Sequence, residues 1–369
     1  MRPLSATECI SPAMGRTRDL MGRPFRLRTF LKIAAVAFFA EMGGGLNFNF
    51  GRSANMHELP PGVLAFVVAF AVLIGIISLV IGLILFYVGS RLQLVLLEMV
   101  ATRFTFVGPL WSKYGSRTWR WIGLKLLFLL CILIVSLPFI VAVVLYCIHH
   151  AIGMGAFSGG VPFSGLNPFA GLHLGHILLF IAAVLLVLLV LLIVSVIYML
   201  VRDLALPFLA LEDLSISQSL ARLRALIAAE PGQVILYIFL RFILGLVFTI
   251  AAEIAVFLVL LISLIPPGII GVILWLSLRH AGTAGTVALI GFAILGGLVF
   301  LCWAVCVVIA FMGTLLTFFQ AYALYFLGGR YPILGDLLDR STPPPAYAYA
   351  FPTPQPPPPY QPPPPPSQP

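Results

Sequence analysis

"VRDLALPFLALEDLSISQSLARLRALIAAEPGQ", Val201–Gln233, separates two of the most apolar tracts of the chain. It carries charge where its neighbours do not, and it has its own start and stop signals. Ser215-Ile216-Ser217-Gln218 has the spacing of a capping box, in which the Ser hydroxyl takes the N3 amide and the Gln side chain reaches back. Ile216, Leu220, Leu223 and Ile227 then recur at helical spacing as one apolar stripe, while Gln218, Arg222 and Ala225 fall on another face. Pro231-Gly232 stops the helix. Two readings stay open for it. It lies in the plane of a membrane interface with Arg222 and Arg224 near headgroup phosphates, or it packs on the ends of the spans. The two can coexist.

Outward from this helix, water cannot be the main solvent. Of 369 residues, 61% are hydrophobic and 9% charged, and mean hydropathy is +1.12, whereas soluble domains carry about 25% charge. Crossing a bilayer core takes about 20 apolar residues. Six stretches qualify as candidate spans: roughly 28–44, 62–89, 118–148, 174–201, 232–265 and 288–317. The first is short, and the last belongs to a tract reaching Leu327 that is too long for one straight crossing. Residues 268–279 are too few to cross, which predicts a re-entrant or outer-interface segment. The expected organisation is a cytoplasmic amphipathic segment over 1–27, a six-span domain over 28–330 and a disordered Pro-rich tail over 331–369. The fold class is an all-α integral membrane protein.

Charge orients it. Arg2, Arg16, Arg18, Arg23, Arg26 and Arg28 precede the first span, and Arg91, Arg103, Lys113, Arg117 and Arg120 follow the second. Arg202, Arg222 and Arg224 follow the fourth, and Arg330 and Arg340 the last, while the opposite side holds only Arg52 and Arg279. The positive-inside rule places both termini in the cytoplasm. The net charge of +9 then points to anionic lipid, with Arg16, Arg18, Arg222 and Arg224 facing it. No basic stretch is interleaved with aromatics, so nucleic acid is not an expected partner.

A weak repeat runs through the chain. A shift of 114 lays 62–89 on 176–201, Glu98 on Glu212 and 118–148 on 232–265, and a second shift brings 290–317 into register. "RTRDL" at 16–20 echoes "RLRAL" at 222–226. The unit is span, interfacial helix, span, and two spans per unit make the repeat parallel.

The stretch "RDLALPFLALEDLSISQSLARLRALIAAEPGQVILYIFL", with "SPAMGRTRDLMGRPFRLRTFLKIAAVAFFAEMGGG" and "GPLWSKYGSRTWRWIGLKLL", resembles the membrane domain of glycerophosphoryl diester phosphodiesterases and its uncharacterised bacterial relatives. The resemblance covers most of 10–330 and implies spans alternating with Glu-anchored helices. In the namesake enzymes hydrolysis belongs to a separate soluble barrel, and this chain has no such domain, so the activity is not implied.

Candidate chemistry is sparse. All six histidines fall on the predicted outer side; His149 and His150 end one span, and His173 and His176, an HxxH pair, begin the next. Four imidazoles there are candidate zinc or copper ligands, though histidine is also common at that depth. Glu253 sits mid-span, where an ionisable group is costly and suggests a proton or cation site. Arg241 shares that helix, but a separation of twelve residues turns it away from Glu253. Glu98 and Glu212 are expected at the starts of interfacial helices, where a carboxylate complements the dipole. The five cysteines form no CxxC. GxSxG, HExxH and Walker A patterns are missing. Pro357-Pro358-Pro359-Tyr360 matches a PPxY ligand, so the tail is a candidate dock for a cytoplasmic partner. The leading expectation is a non-enzymatic membrane protein without cofactors that engages anionic lipid. A transporter using Glu253 and an outward metal site at the histidines are the alternatives.

Overall fold

The computed structural model describes residues 2–22, 25–42, 61–153, 174–280 and 282–341. They form helices α1 (Ile10–Gly22), α2 (Leu27–Met42), α3 (Pro61–Thr102), α4 (Val107–Lys113), α5 (Gly115–Gly153) and α6 (Leu174–Leu200). A π turn (Val201–Ala205) carries α6 into α7 (Leu206–Leu211). Then come α8 (Ile216–Ala229), α9 (Pro231–Leu278), α10 (Gly282–Gly328) and α11 (Pro332–Arg340).

Five helices are long and apolar enough to cross a membrane: Phe66–Thr102, Gly115–Leu145, Phe180–Leu211, Pro231–Leu278 and Gly282–Gly328. Four of them divide into an exposed apolar half and a buried half. On α3 the exposed side chains run from Phe66 to Ile84 and the buried ones from Leu92 to Ala101. On α5 the order reverses, with Trp121 and Leu124 buried and Leu126 to Leu145 exposed. The exposed stretch is Leu178–Ile197 on α6 and Val287–Val305 on α10. Each band is close to the ~20 residues that cross about 30 Å of hydrocarbon. Leu, Ile, Val and Phe at half exposure are stable there only in lipid.

The buried halves meet in one helical layer, where α1, α2, α4, α7, α8 and α11 pack against them. The first expected span, 28–44, is described as far as Met42. Residues 27–42 make a helix of 16 residues, about 24 Å long, and it is not among the five. Ile33, Ala34, Ala37 and Ala40 are buried in the layer, packed on α10 and α3. Small residues set that contact: a Cβ on Gly313 of α10 would collide with the Ala34 backbone.

The segment 268–279 is likewise no separate element. It forms the last turns of α9, which runs unbroken for 48 residues through Pro266 and Pro267. α10 lies alongside it, and Trp303 Nε1 donates to Ser263 Oγ at 3.1 Å just before the prolines. A neighbouring helix of this kind is what lets proline persist inside a membrane helix.

The two ends of the described chain are tied together. Tyr322 Oη donates to the Ala6 carbonyl (3.0 Å) and Arg330 Nη1 to that of Leu4 (3.0 Å). Arg330 also pairs with Glu230 at 2.7 Å. Gly329 has no Cβ because the backbone of Arg2 and Pro3 occupies that space.

Candidate functional site

Pro207 has no N–H, so a regular α-helix would leave the Asp203 carbonyl unserved and crowded by the ring. The chain widens into the π turn instead, and the Leu206 N–H bonds to the Val201 carbonyl. Such turns often mark functional positions because they re-aim side chains. Asp203, 4% exposed, accepts from Arg202 Nε at 3.1 Å, Tyr237 Oη at 2.9 Å and Arg241 Nε at 3.3 Å. Arg202 reaches on to Glu41 of α2 at 2.6 Å. The Arg241 guanidinium lies 3.6 Å from the centre of the Phe319 ring.

Beside these ions Gln93 donates to the Ala40 carbonyl (2.9 Å) and accepts from Trp121 Nε1 (2.6 Å). Lys125 bonds Ser90 Oγ at 3.0 Å, with its ammonium near the rings of Phe86 and Trp121. Glu41, Gln93, Arg202, Asp203, Arg241 and Gln320 line one narrow cleft, and Gln320 Nε2 is buried there without a hydrogen-bond partner. Two guanidinium groups and two carboxylates balance in charge. The network ties α2, α6 and α9 to one another, and α3 and α10 close around it. Apart from Gln320 Nε2, the donors and acceptors of this network are spent on one another, so it locks these helices together.

Glu98 and Glu212 are placed otherwise than expected. Glu98 lies in the last turn of α3 and Glu212 is the C-cap of α7, because both helices run further than their hydropathy suggests. A carboxylate there opposes the helix dipole, and cations offset it. Lys113 meets Glu98 at 2.6 Å, with the Tyr114 hydroxyl donating to the other oxygen. Arg222 meets Glu212 at 2.7 Å and lies over the Phe208 ring. The capping box at Ser215 is present, with both hydrogen bonds made. The stripe of α8 faces the protein, where Leu223 is buried and Ile216, Leu220 and Ile227 pack on the core.

Among the arginines expected to face lipid, Arg18 and Arg224 are exposed, and Arg222 is half engaged by Glu212. Arg16 is not at the surface. It is 1% exposed and donates to the carbonyls of Val100 (2.9 Å) and Ala101 (2.5 Å) and to Ser341 Oγ (2.6 Å). Those carbonyls end α3 and have no intrahelical partner, so the guanidinium caps one helix while anchoring another. Burial, with Arg103 nearby, brings its pKa down to about 10. Burial also pushes the Cys9 thiol up to about 12. The Tyr114 hydroxyl is raised by burial and then by its bond to Glu98.

Glu253 is exposed on α9 and makes no ion pair among the described residues; Arg241 is engaged by Asp203 and not by Glu253. His173 lies outside the described residues, as do the side chains of His149, His150 and His176. Among the described residues no three His, Cys, Asp or Glu side chains gather as metal ligands. Sequence reasoning missed Asp203, Glu41, Gln93 and Gln320. The usable signal was Arg241 itself, since a mid-span cation needs a counter-ion and Asp203 is one of few acids within reach of the same side.

The family model for DUF7544, a family of unknown function, matches residues 4–337. The chain belongs to that family. The DUF7544 match takes in the helical layer and all five long helices and stops within α11, short of the Pro-rich stretch. Comparison with curated proteins and with solved structures returns no match.

Proposed function

We propose that this protein is a non-enzymatic component of a bacterial inner membrane that engages anionic lipid with its helical layer, while its Pro-rich tail recruits a soluble cytoplasmic partner. One observation carries the reading. The layer that abuts the exposed apolar bands presents Arg18, Arg26, Arg28, Arg224 and Arg340 exposed, and none of them has an ion-pair partner among the described residues. Basic side chains at the edge of an apolar belt gain about 1 kcal/mol each beside an anionic leaflet.

In this reading the layer is cytoplasmic, and the chain crosses six times. The described segments at both ends lie in the same layer, which takes an even number of crossings. Five long helices supply an odd number, so this reading takes α2 as part of the sixth span. The order long helix, short helix, long helix occurs as α3–α4–α5 and again as α6/α7–α8–α9, which supports a parallel repeat. The likeness to the phosphodiesterase membrane domain belongs to the same proposal.

Native mass spectrometry of protein gently extracted from its own membrane tests the reading. A reproducible bound anionic lipid, lost when Arg222 and Arg224 are changed to Gln, is expected; bare protein under all gentle conditions would refute it. A second reading, solute transport, draws support from Glu253, an exposed carboxylate with no ion pair among the described residues, on a helix long and apolar enough to cross a membrane. Proton or cation flux into vesicles that is abolished by Glu253→Gln would favour it.

A further inference from the structure

A groove of about 600 Å³ opens where α1 and the start of α2 lean on α9 and α10. Its walls are Met14, Met21, Phe30, Phe248, Ala252 and Phe311. Ala252 and Ala310 give it depth, since larger residues would fill it, and the flanking Met and Phe side chains give adaptable apolar walls. The volume lies within the roughly 300–1,000 Å³ of small-ligand sites. Phe248, Ala252, Ala310 and Phe311 belong to helices long and apolar enough to cross a membrane, so on the reading above the groove opens toward lipid.

Charge at the groove is one-sided. Among the described residues Arg18 is the only charged one in its lining. The adjacent acid, Asp19, is drawn away to Arg103 at 3.3 Å. Arg26 and Arg28 are exposed on the chain between Phe25 and Phe30, two of the rings at the groove. A cavity that is apolar within and cationic at its mouth matches a molecule with a hydrocarbon chain and an anionic head. A headgroup carrying its own ammonium would meet like charge at Arg26 and Arg28.

We propose that this groove holds an acyl chain of an anionic glycerophospholipid, with Arg18 against the headgroup phosphate. The site rests on the lipid-engaging reading above and narrows it to one place and one lipid class. The occupant seats between α1 and the α9–α10 pair, and the guanidinium selects it by charge.

The test uses the full chain in nanodiscs of phosphatidylglycerol and phosphatidylcholine, with a photoreactive diazirine on the acyl chain of one lipid at a time, followed by peptide mapping. Adducts are expected at Phe248–Ala252 and Ala310–Leu315, favouring phosphatidylglycerol about fivefold, the preference a single interfacial charge supplies. Arg18→Gln should lower that preference without moving the adducts. Ala310→Phe should reduce groove adducts for both lipids. Because it could also disturb packing, its elution profile and helicity are compared with the parent, and the unmodified chain's adduct map stands by itself. Adducts spread evenly over α3, α5 and α6, or selectivity unchanged in Arg18→Gln, would overturn the site. Phosphatidylglycerol adducts concentrated near Arg224 and lost in Arg224→Gln would overturn the groove yet leave the lipid reading standing. No preference for phosphatidylglycerol anywhere would overturn both.

Discussion

Asp203 faces two guanidinium groups in a space with little water, and that pairing decides what each residue is worth. An ion pair in such a place contributes little net stability against an apolar replacement, but breaking it leaves an uncompensated charge. Asp203→Asn is therefore expected to destabilise by about 3–5 kcal/mol, read as a lowered thermal midpoint in detergent. Pairing it with Arg241→Gln should recover part of that loss; a double variant as unstable as the summed single changes would deny the coupling. Cys9 offers a separate check. Its raised pKa favours the neutral thiol in the fold, so its contribution is intact below the ordinary thiol range of about 8.5 and fades as pH climbs toward about 12. At pH 8 the thiolate, the reactive form, is scarce. Maleimide should modify Cys9 slowly in the native protein and quickly after unfolding, as followed by peptide mapping. Equal rates in both states would place Cys9 at the surface.

The cap of α8 is local chemistry, and its cost is local. Ser215→Ala removes the bond to the Gln218 amide and should lower stability by about 1 kcal/mol, measured by the thermal midpoint, with Ser215→Asn close to the parent. This element was legible in the sequence because cap, stripe and stop all sit within twenty residues. The five long helices were legible for the same reason, since hydropathy is summed over neighbours in the chain. What escaped depended on partners far away. For the span read at 28–44, the contacts of Ala34 with Gly313 and of Ala40 with Gln93 carry no mark in the sequence. Residues 268–279 read as a separate short segment, yet α9 runs through Pro266 and Pro267 into them with α10 alongside. Arg16 read as a lipid-facing charge because its acceptors, the last carbonyls of α3, carry no mark in the sequence. Asp203 was passed over because two of its three donors, Tyr237 and Arg241, lie on α9, 34 and 38 residues further along the chain.

For the whole molecule the proposal rests on orientation. A single cysteine introduced in the tail, at Ser367, should resist a membrane-impermeant maleimide in intact cells and react once the cells are opened. Labelling in intact cells would put the helical layer, and its arginines, on the outer side. The layer itself also sets the order of assembly. α10, which contacts α1, α2, α3, α9 and α11, is synthesised near the end, so α1 and α2 wait for most of the chain before their apolar faces are covered.

The clasp between the two ends has a topological consequence. With residues 2–6 lying against Tyr322, Gly329 and Arg330, and Arg16 holding Ser341, the sequence closes nearly into a ring. A short peptide bridging the two ends would make the molecule circular without disturbing its packing. New termini could then be opened in a loop on the far face. In the proposed orientation, such a circular permutant would display both ends on the opposite side of the membrane, with the same core inside.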